Sequence, residues 1–326
     1  MKPFIIKTVA FLALQLCFLL VICRMGNPEI SHTSYYHAMY DKLDYLESLQ
    51  GNRLIMVGGS SVAFGVDSKK VARNLNWKPV NFGLHAATGL DFYLSLLRRN
   101  VRAGDLVLLL PEYEMLIGRE GAETKFELMQ ACPQFAADLC SSWKSRKSLL
   151  DRDALHLLHE SMVRAFDPNP PVHHGIYSRH GFNEQGDMIA HHGVCNEQIV
   201  KSSFLALASE DLKQANETIR SLNDFAEFCR SQGVKLLISY PPITQSRFDG
   251  SRDFLEDLHQ LLVNQLDVDI LNRPEDSIFQ EGQFFDTYYH LTEEAKWKRS
   301  TRLNLALHQY LAGTSRVAHR KPGLIE

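Results

Sequence analysis

Two short segments near opposite ends of the chain carry residue types that together could perform acyl transfer. The first, 57–65, reads Val-Gly-Gly-Ser-Ser-Val-Ala-Phe-Gly and places Ser60 directly after an apolar run at 53–57. A serine on a sharp turn after a buried strand points its hydroxyl into the crevice of an α/β sheet. Neighbouring glycines let backbone N–H groups approach a developing oxyanion. Alone, the turn is a weak signal, because Gly-Ser turns are common in structural loops.

The second segment, 284–292, places Asp286 and His290 in one loop before the last predicted helix. A carboxylate at this spacing can hold one imidazole nitrogen, which leaves the other nitrogen to take a proton from a serine. The structural alternative is that Asp286 caps a turn and His290 packs near a helix start. Taken together, the two segments predict a catalytic set of Ser60, His290 and Asp286.

Other nucleotide and hydrolase motifs are not matched. The glycines of 58–65 do not fit GxGxxG, no Gly-Lys-Ser/Thr follows them, and the GxSxG elbow is also missing. The formal net charge of −3 comes without a basic stripe, which argues against a nucleic-acid partner. We therefore predict no cofactor and no nucleic-acid partner.

Short apolar runs alternate with amphipathic segments along most of the chain of 326 residues. This alternation predicts an α/β fold with a parallel sheet that is covered on both faces, with ligands at the carboxyl ends of its strands. The predicted strands are 53–59, 79–83, 106–110, 234–240 and 268–271. The predicted helices are 27–50, 68–76, 89–101, 219–229, 252–266 and 292–312.

Four blocks in chain order resemble the SGNH/GDSL hydrolase superfamily. They are Gly-Gly-Ser at 58–60, Asn-Phe-Gly at 81–83, a strand that ends in Pro-Glu-Tyr at 111–113, and Asp-x-x-x-His-Leu at 286–291. The resemblance covers most of the chain after residue 50, except the middle. It implies a flavodoxin-like three-layer fold around a parallel sheet.

The same resemblance implies a role for each member of the catalytic set. Ser60 matches the nucleophile of the family, His290 its general base and Asp286 the residue that orients the base. In particular, the chain is similar to the membrane-anchored branch associated with bacterial exopolysaccharide and cell-envelope acylation. That similarity implies an esterase or O-acyltransferase acting on a carbohydrate ester, with envelope polysaccharide machinery as a partner.

The backbone part of the oxyanion site departs mildly from the family pattern. The family places a glycine five residues after the asparagine of its second block, and this chain has Ala86. A backbone N–H serves equally from alanine, and Gly83 or Gly89 are alternatives. We expect Gly59, Gly83 and Ala86 to line the oxyanion site. The Asp-His spacing is also one residue longer than the DxxH of the family.

A second departure concerns the side-chain donor of the oxyanion site. The third block of the family supplies an asparagine, whereas here the strand ends in Glu112. Either Glu112 points away, or Tyr113 or Asn183 fills the role. Arg179 is a candidate for holding a sugar hydroxyl or carboxylate. The missing asparagine also supports an alternative function, a catalytically inactive glycan-binding or assembly component of an export system.

The middle of the chain, about 115–210, is less regular and is predicted to be an insertion that shapes the substrate site. It is rich in potential metal ligands: His173, His174, His180, His191, His192 and Cys195. No spacing such as HExxH accompanies them, so no metal site is predicted. A metal-dependent hydrolase that uses this segment remains a third alternative.

The first 26 residues differ in composition from the rest. Lys2 and Lys7 precede an uncharged apolar run at 8–23, which with 4–6 approaches the ~20 residues that cross a bilayer. A small-x-small cleavage site is missing, so an uncleaved signal-anchor at 1–26 is favoured over a cleaved signal peptide. The domain at 27–313 would then lie outside the cytoplasm, in the periplasm and tethered to the inner membrane.

Two smaller features complete the domain organisation. The tail at 314–326 is polar and basic and is predicted to be disordered. In an oxidising compartment Cys132 and Cys140 could close a short disulfide loop, and the alternative is that both remain free thiols.

Overall fold

The computed structural model describes residues 7, 11, 14, 32–149, 175–194, 207 and 209–313. Its centre is a parallel sheet of five strands in the order β2-β1-β3-β4-β6, and β5 pairs with β7 in a separate parallel ladder. The strands are β1 (Arg53–Val57), β2 (Lys78–Asn81), β3 (Leu106–Leu109), β4 (Lys235–Ile238), β5 (Ile243–Thr244), β6 (Asp269–Ile270) and β7 (Ile278–Phe279).

Helices connect the strands and cover the sheet. In chain order they are α1 (Ala38–Ser48), α2 (Ser60–Gly65), α3 (Ser68–Val71), α4 (Leu90–Asn100), α5 (Tyr113–Leu116), α6 (Ala122–Ala131), α7 (Ala136–Leu139), α8 (Trp143–Leu149), α9 (Ala215–Ser231), α10 (Gln245–Gly250), α11 (Arg252–Gln265) and α12 (Glu293–Leu311). Short 3-10 turns lie at Tyr35–His37, Ala86–Thr88, Pro133–Phe135, Arg179–Gly181, Ser209–Gln214, Pro274–Ser277 and Glu281–Gln283.

The central strands are buried on both faces, which explains their continuous apolar sequences. In β1, Ile55 and Val57 pack into the core on one side of the sheet, and Leu54 and Met56 pack into the core on the other. Successive side chains of a strand point to opposite faces, so each apolar run serves two layers. Helices α4, α9 and α11 contribute to the first core, whereas α12 contributes Leu303 and Leu307 to the second.

The predicted α/β class and its parallel sheet are confirmed. The strand order is consistent with a flavodoxin-like fold, whose doubly wound sheet places its first strand between the second and the third. The helix predicted at 68–76 is shorter, because α3 ends at Val71 and Asn74 has a φ of 60°. A left-handed residue cannot continue a right-handed helix, so the chain turns there toward β2.

Several sequence predictions fall partly outside the described residues. Among the residues that the structure describes, no helix combines the length and the apolar character needed to cross a bilayer. The predicted anchor at 1–26 lies almost wholly outside them, as do the tail at 314–326 and parts of the insertion. Cys132 and Cys140 are both free thiols, and the Cys132 thiol lies 3.4 Å from the carbonyl oxygen of Tyr36.

Candidate functional site

Ser60 is the first residue of α2 and follows β1 after only two glycines. We call residues 58–61 the serine turn. Because β1 lies between β2 and β3, the serine turn lies at the point where the strand order reverses, which is where ligands bind in open α/β sheets. Ser60 itself is half-buried, and its neighbours Gly59 and Ser61 are fully buried.

The glycines of this region allow backbones to approach one another closely. A Cβ atom on Gly59 would lie 2.5 Å from the Ala86 nitrogen, and one on Gly83 would lie 2.4 Å from the nitrogen of Ala63. The loop after β2 therefore packs directly on the serine turn and on the start of α2. This contact puts the backbone nitrogen of Ala86 against Gly59, the residue before Ser60.

Two backbone donors at this contact are free. Within the described part of the chain, the N–H groups of Ser60 and Ala86 donate to no other group. The N–H of Gly83 donates to Asn81 Oδ1 at 2.9 Å, and the N–H of Gly89 donates to the Ala86 carbonyl at 3.0 Å. Ser60 and Ala86 are therefore the backbone donors available to an oxyanion, and Gly83 and Gly89 are not.

Glu112 does not supply the donor that the resemblance expects from this position. Its buried carboxylate accepts hydrogen bonds from the Gly59 N–H at 2.8 Å and from the Ser61 N–H at 2.7 Å. Burial raises the pKa of Glu112, although these N–H groups favour the ionised form. Glu112 thus acts as an acceptor that holds the residues on either side of Ser60.

His290 and Asp286 form the predicted pair. The Nδ1 atom of His290 lies 2.7 Å from Asp286 Oδ1, and both side chains are almost fully buried. We call residues 284–291 the base loop. It closes through a bridge between Phe284 and Leu291, and Thr287 Oγ1 accepts the N–H of His290 at 3.1 Å. These contacts accommodate the additional residue between the aspartate and the histidine.

A tyrosine that the sequence did not single out completes this group. The Tyr177 hydroxyl donates to Asp286 Oδ2 and lies 3.2 Å from His290 Nδ1. Burial alone would raise the pKa of Asp286, but the hydrogen bonds from His290 and Tyr177 outweigh it and lower that pKa below its ordinary value. Tyr177 lies in the irregular insertion, where no periodicity or spacing pointed to it.

Phe64 connects the base to the helix of the serine. Its ring stacks on the His290 ring with centroids 4.0 Å apart and an interplanar angle of 8°. Phe64 lies about one helical turn after Ser60 on α2, so His290 packs over the helix that begins with the serine. The Ser60 hydroxyl forms no hydrogen bond within the described residues. Hydrogen bonds between a nucleophile and its base are often long or poorly aligned without substrate, and they tighten only when substrate binds.

A side chain of the last helix, α12, also holds the serine turn. The Arg299 Nη1 atom of α12 donates to the Ser61 carbonyl at 2.6 Å, and burial lowers the pKa of this guanidinium to about 10. Ser61 is therefore held at its N–H by Glu112 and at its carbonyl by Arg299. The position of Ser60 depends on the side chain of Glu112, which follows β3, and on that of Arg299 in α12, as well as on its own turn.

Three predicted substrate or oxyanion residues have their polar groups placed elsewhere. Arg179 forms a two-pronged ion pair with Asp41 at 2.7 and 2.5 Å. Asn183 accepts the N–H of Asp187 at 2.8 Å and donates to its carboxylate at 3.2 Å. The Tyr113 hydroxyl is buried without a partner in the described structure. None of these three side chains forms a hydrogen bond with the serine turn within the described residues.

One of the described histidines of the insertion, His191, supports the base loop. The Nε2 atom of His191 lies 3.1 Å from the carbonyl oxygen of Leu291, and burial, followed by the charges of Lys296 and His192, lowers the pKa of His191 to about 3. Among the described residues, no group of three His, Cys, Asp or Glu side chains is arranged to hold a metal ion. His173, His174 and Cys195 lie outside those residues.

A cavity of about 610 Å³ lies elsewhere, at the carboxyl ends of β4 and β6 against α12. The lining contains none of the catalytic set, and the Ser239 hydroxyl in it donates to Asn272 Oδ1 at 2.7 Å rather than facing a base. Large pockets are the default location for a ligand, but chemistry needs a nucleophile and a base together. The candidate nucleophile Ser60 and the candidate base His290 lie instead on the serine turn and the base loop, which Phe64 connects.

Comparison of the chain with models of known protein families, and with curated proteins, found no match. The functional interpretation therefore depends on the residues of the site themselves.

Proposed function

We propose that this chain is an extracytoplasmic serine esterase or O-acyltransferase of the SGNH/GDSL type. The observation that carries the proposal is the base loop, in which Asp286 and Tyr177 hold His290 while its ring stacks on the helix that begins with Ser60. An aspartate at Nδ1 leaves Nε2 of the imidazole to take a proton. The proposal is supported further by the N–H groups of Ser60 and Ala86, which have no acceptor in the described structure, and by the packing of the Ala86 nitrogen against Gly59.

The first half of the reaction makes an acyl-enzyme. Ser60 Oγ forms a bond to the ester carbonyl carbon, the carbonyl π pair moves onto oxygen, and the hydroxyl proton passes to His290 Nε2. The N–H groups of Ser60 and Ala86 donate to the oxyanion. The intermediate then collapses, the bond to the leaving alkoxide breaks, and His290 returns the proton to that alkoxide.

The second half transfers the acyl group to an acceptor. A water molecule or a carbohydrate hydroxyl attacks the acyl carbon while His290 Nε2 takes its proton. Collapse of the second tetrahedral intermediate restores the Ser60 hydroxyl and releases an acid or a new ester. Esterase and transferase differ only in which hydroxyl enters at this step.

The resemblance to the membrane-anchored SGNH branch supports the choice of substrate. It favours acetyl esters of a surface polysaccharide or another envelope glycan, with polysaccharide machinery as a partner. The apolar segment at 1–26 supports an inner-membrane tether with the α/β domain in the periplasm. Under this proposal the sheet is that of an SGNH fold, and the irregular middle segment is its insertion.

One observation favours a second candidate function, a catalytically inactive glycan-binding component of an export system. Glu112 occupies the place of the expected oxyanion asparagine and accepts hydrogen bonds instead of donating them. An oxyanion site that lost a donor without replacement would be weakened by about 10²–10³ in rate. Glycan binding without turnover would then be the function of the cleft.

The test compares the full-length chain in mild detergent with three variants on p-nitrophenyl acetate. Ser60→Ala and His290→Ala should abolish turnover. Ser48→Ala is the matched control, because this serine is exposed at the end of α1, where its hydroxyl donates to the Tyr45 carbonyl, and it should retain turnover. A chelator should have no effect. Chelator-sensitive turnover that survives in Ser60→Ala would favour a metal-dependent hydrolase. Wild-type turnover no higher than that of Ser60→Ala would favour glycan binding.

A further inference from the structure

The proposed oxyanion site has backbone donors but no side-chain donor from the residues that follow β3. Ser60 and Ala86 each offer one free N–H group, whereas Glu112 is an acceptor. Because one donor is worth about 10²–10³ in rate, a replacement for the missing donor would raise the rate by that factor. Such a replacement must lie beside Ala86, have an N–H or O–H with no partner in the protein, and be uncharged or positive.

His85 has the required position. It directly precedes Ala86 and is the N-cap residue of the 3-10 turn Ala86–Thr88. Its backbone is fixed on both sides: its N–H donates to the Tyr93 hydroxyl at 3.1 Å, and its carbonyl accepts from Thr88 Oγ1 at 2.7 Å. Its side chain therefore projects from a rigid segment that packs on the serine turn.

The hydrogen bonds of His85 also fix its tautomer. The Ala87 N–H donates to His85 Nδ1 at 3.1 Å, so the proton of the neutral ring lies on Nε2. Within the described structure, Nε2 has no hydrogen-bond partner, and it is not among the atoms that are sealed from solvent. His85 thus presents an unused N–H donor.

The charge state of His85 follows from its surroundings. Burial, and then the charge of His290, lowers the pKa of His85 to about 4, so the ring is neutral near pH 7. Because a Cβ atom on Gly59 would lie 2.5 Å from the Ala86 nitrogen, the residue directly before Ala86 lies on the segment that packs against the serine turn.

We infer that His85 is a catalytic residue, whose Nε2–H donates to the oxyanion in place of the amide that the family carries at the end of β3. The inference rests on the proposed function. A neutral imidazole held in one tautomer is a preorganised donor, which needs no reorganisation as charge develops on the substrate oxygen. Glu112 is then free to serve as an acceptor for the serine turn.

The experiment measures kcat and KM of the full-length chain for p-nitrophenyl acetate, together with the rate at which a fluorophosphonate labels Ser60. His85→Phe keeps a ring but removes the donor, and His85→Gln restores an amide N–H of similar reach. His308→Gln is the control, because this histidine lies near the far end of α12 and contacts the Arg73 carbonyl. Ser60→Ala gives the background of both assays.

His85→Phe should lower kcat and the labelling rate by about 10²-fold with little change in KM, since the lost contact exists only in the transition state. His85→Gln should recover at least tenfold of that loss, and His308→Gln should match wild type. Wild-type kcat in His85→Phe, with Ser60→Ala inactive, would overturn the role of His85 alone. Wild type that matches Ser60→Ala in both assays would overturn the proposed function, and this inference with it.

A measurement on the wild-type chain covers the case in which His85→Phe does not fold. In protein labelled with ¹⁵N-histidine, phosphonylation of Ser60 places a phosphoryl oxygen where the oxyanion forms. The Nε2–H resonance of one neutral imidazole should move downfield, and His85→Gln should lack that resonance. An adduct that leaves every neutral Nε2–H unshifted would contradict the inference.

Discussion

The serine turn and the base loop are held in place by different kinds of contacts. Close backbone packing distinguishes the serine turn, because Gly59 and Gly83 bring neighbouring segments into direct contact, and the side chains of Glu112 and Arg299 then bond its backbone groups. Side chains from a distant segment hold the base loop: Tyr177 and His191 lie about 100 residues earlier, as the separations of 109 and 100 residues show. The serine turn thus depends on close fit, and the base loop on a network of polar and aromatic groups.

This difference predicts different sensitivities. A single added methyl group should damage the serine turn, because backbone atoms cannot move aside cheaply. The base loop should tolerate small changes of volume but respond to the loss of individual polar groups and to pH. Four predictions follow in order of expected effect.

The largest effect is expected from Asp286→Asn in the base loop. The amide would favour the wrong tautomer of His290, and kcat should fall by about 10³–10⁴. Ester turnover measured beside Asp249→Asn, an exposed aspartate that pairs with Arg252, checks this. A fall of less than tenfold in Asp286→Asn would mean that the carboxylate does not orient the base.

The serine turn is tested by Gly59→Ala. The new Cβ would lie 2.5 Å from the Ala86 nitrogen and from both Glu112 carboxylate oxygens, so the turn must shift. We expect kcat/KM to fall about 100-fold and the free energy of unfolding to fall by about 2–3 kcal/mol. Gly282→Ala is the control, since its Cβ meets nothing within 4 Å. Equal effects of the two substitutions would contradict the comparison.

The pH dependence of stability tests the base loop through His191. The pKa of this buried ring is about 3 in the folded chain against 6.5 as its ordinary value, so below pH 6.5 the unfolded chain binds the proton more readily. Its contribution to stability is complete above pH 6.5 and is lost as pH falls toward 3. The loss between pH 7 and pH 4 is at most about 3 kcal/mol.

His191→Gln removes the titrating group but keeps an amide that can donate to the Leu291 carbonyl. Urea unfolding at pH 7 and pH 4 should show that the variant loses less stability on acidification than wild type, by about 2 kcal/mol. The exposed His180→Gln should behave like wild type. Parallel pH profiles for wild type and His191→Gln would show that His191 does not contribute to acid sensitivity.

The smallest effect is expected from Tyr177→Phe, which removes one hydrogen bond to Asp286 and keeps the ring. We expect kcat to fall about tenfold, the value of a bond of about 1.4 kcal/mol to a charged group. Tyr310→Phe is matched, because it also removes a tyrosine bond to an aspartate, Asp269, near the end of α12. Equal kcat in the two variants would remove Tyr177 from the positioning of the base loop.

The same comparison explains what the sequence could predict. Ser60 and the strand before it are local features, and Asp286 and His290 lie in one loop, so their patterns are visible in the chain. The roles of Tyr177 and His191 depend on tertiary packing of an irregular segment, which has no period that would place it. For Glu112, the sequence reveals a difference from the pattern that the chain resembles but not the direction in which the carboxylate points.

The hydrogen bond between Arg299 and the Ser61 carbonyl has a consequence for the biogenesis of the protein. It joins residues 238 positions apart and closes a loop that contains most of the chain. Neither the Ser60 helix nor the base loop acquires its native surroundings before the last helix is synthesised and docks. The nascent polypeptide therefore cannot assemble the proposed triad while it is being made, and under the proposed function activity would appear only after synthesis is nearly complete.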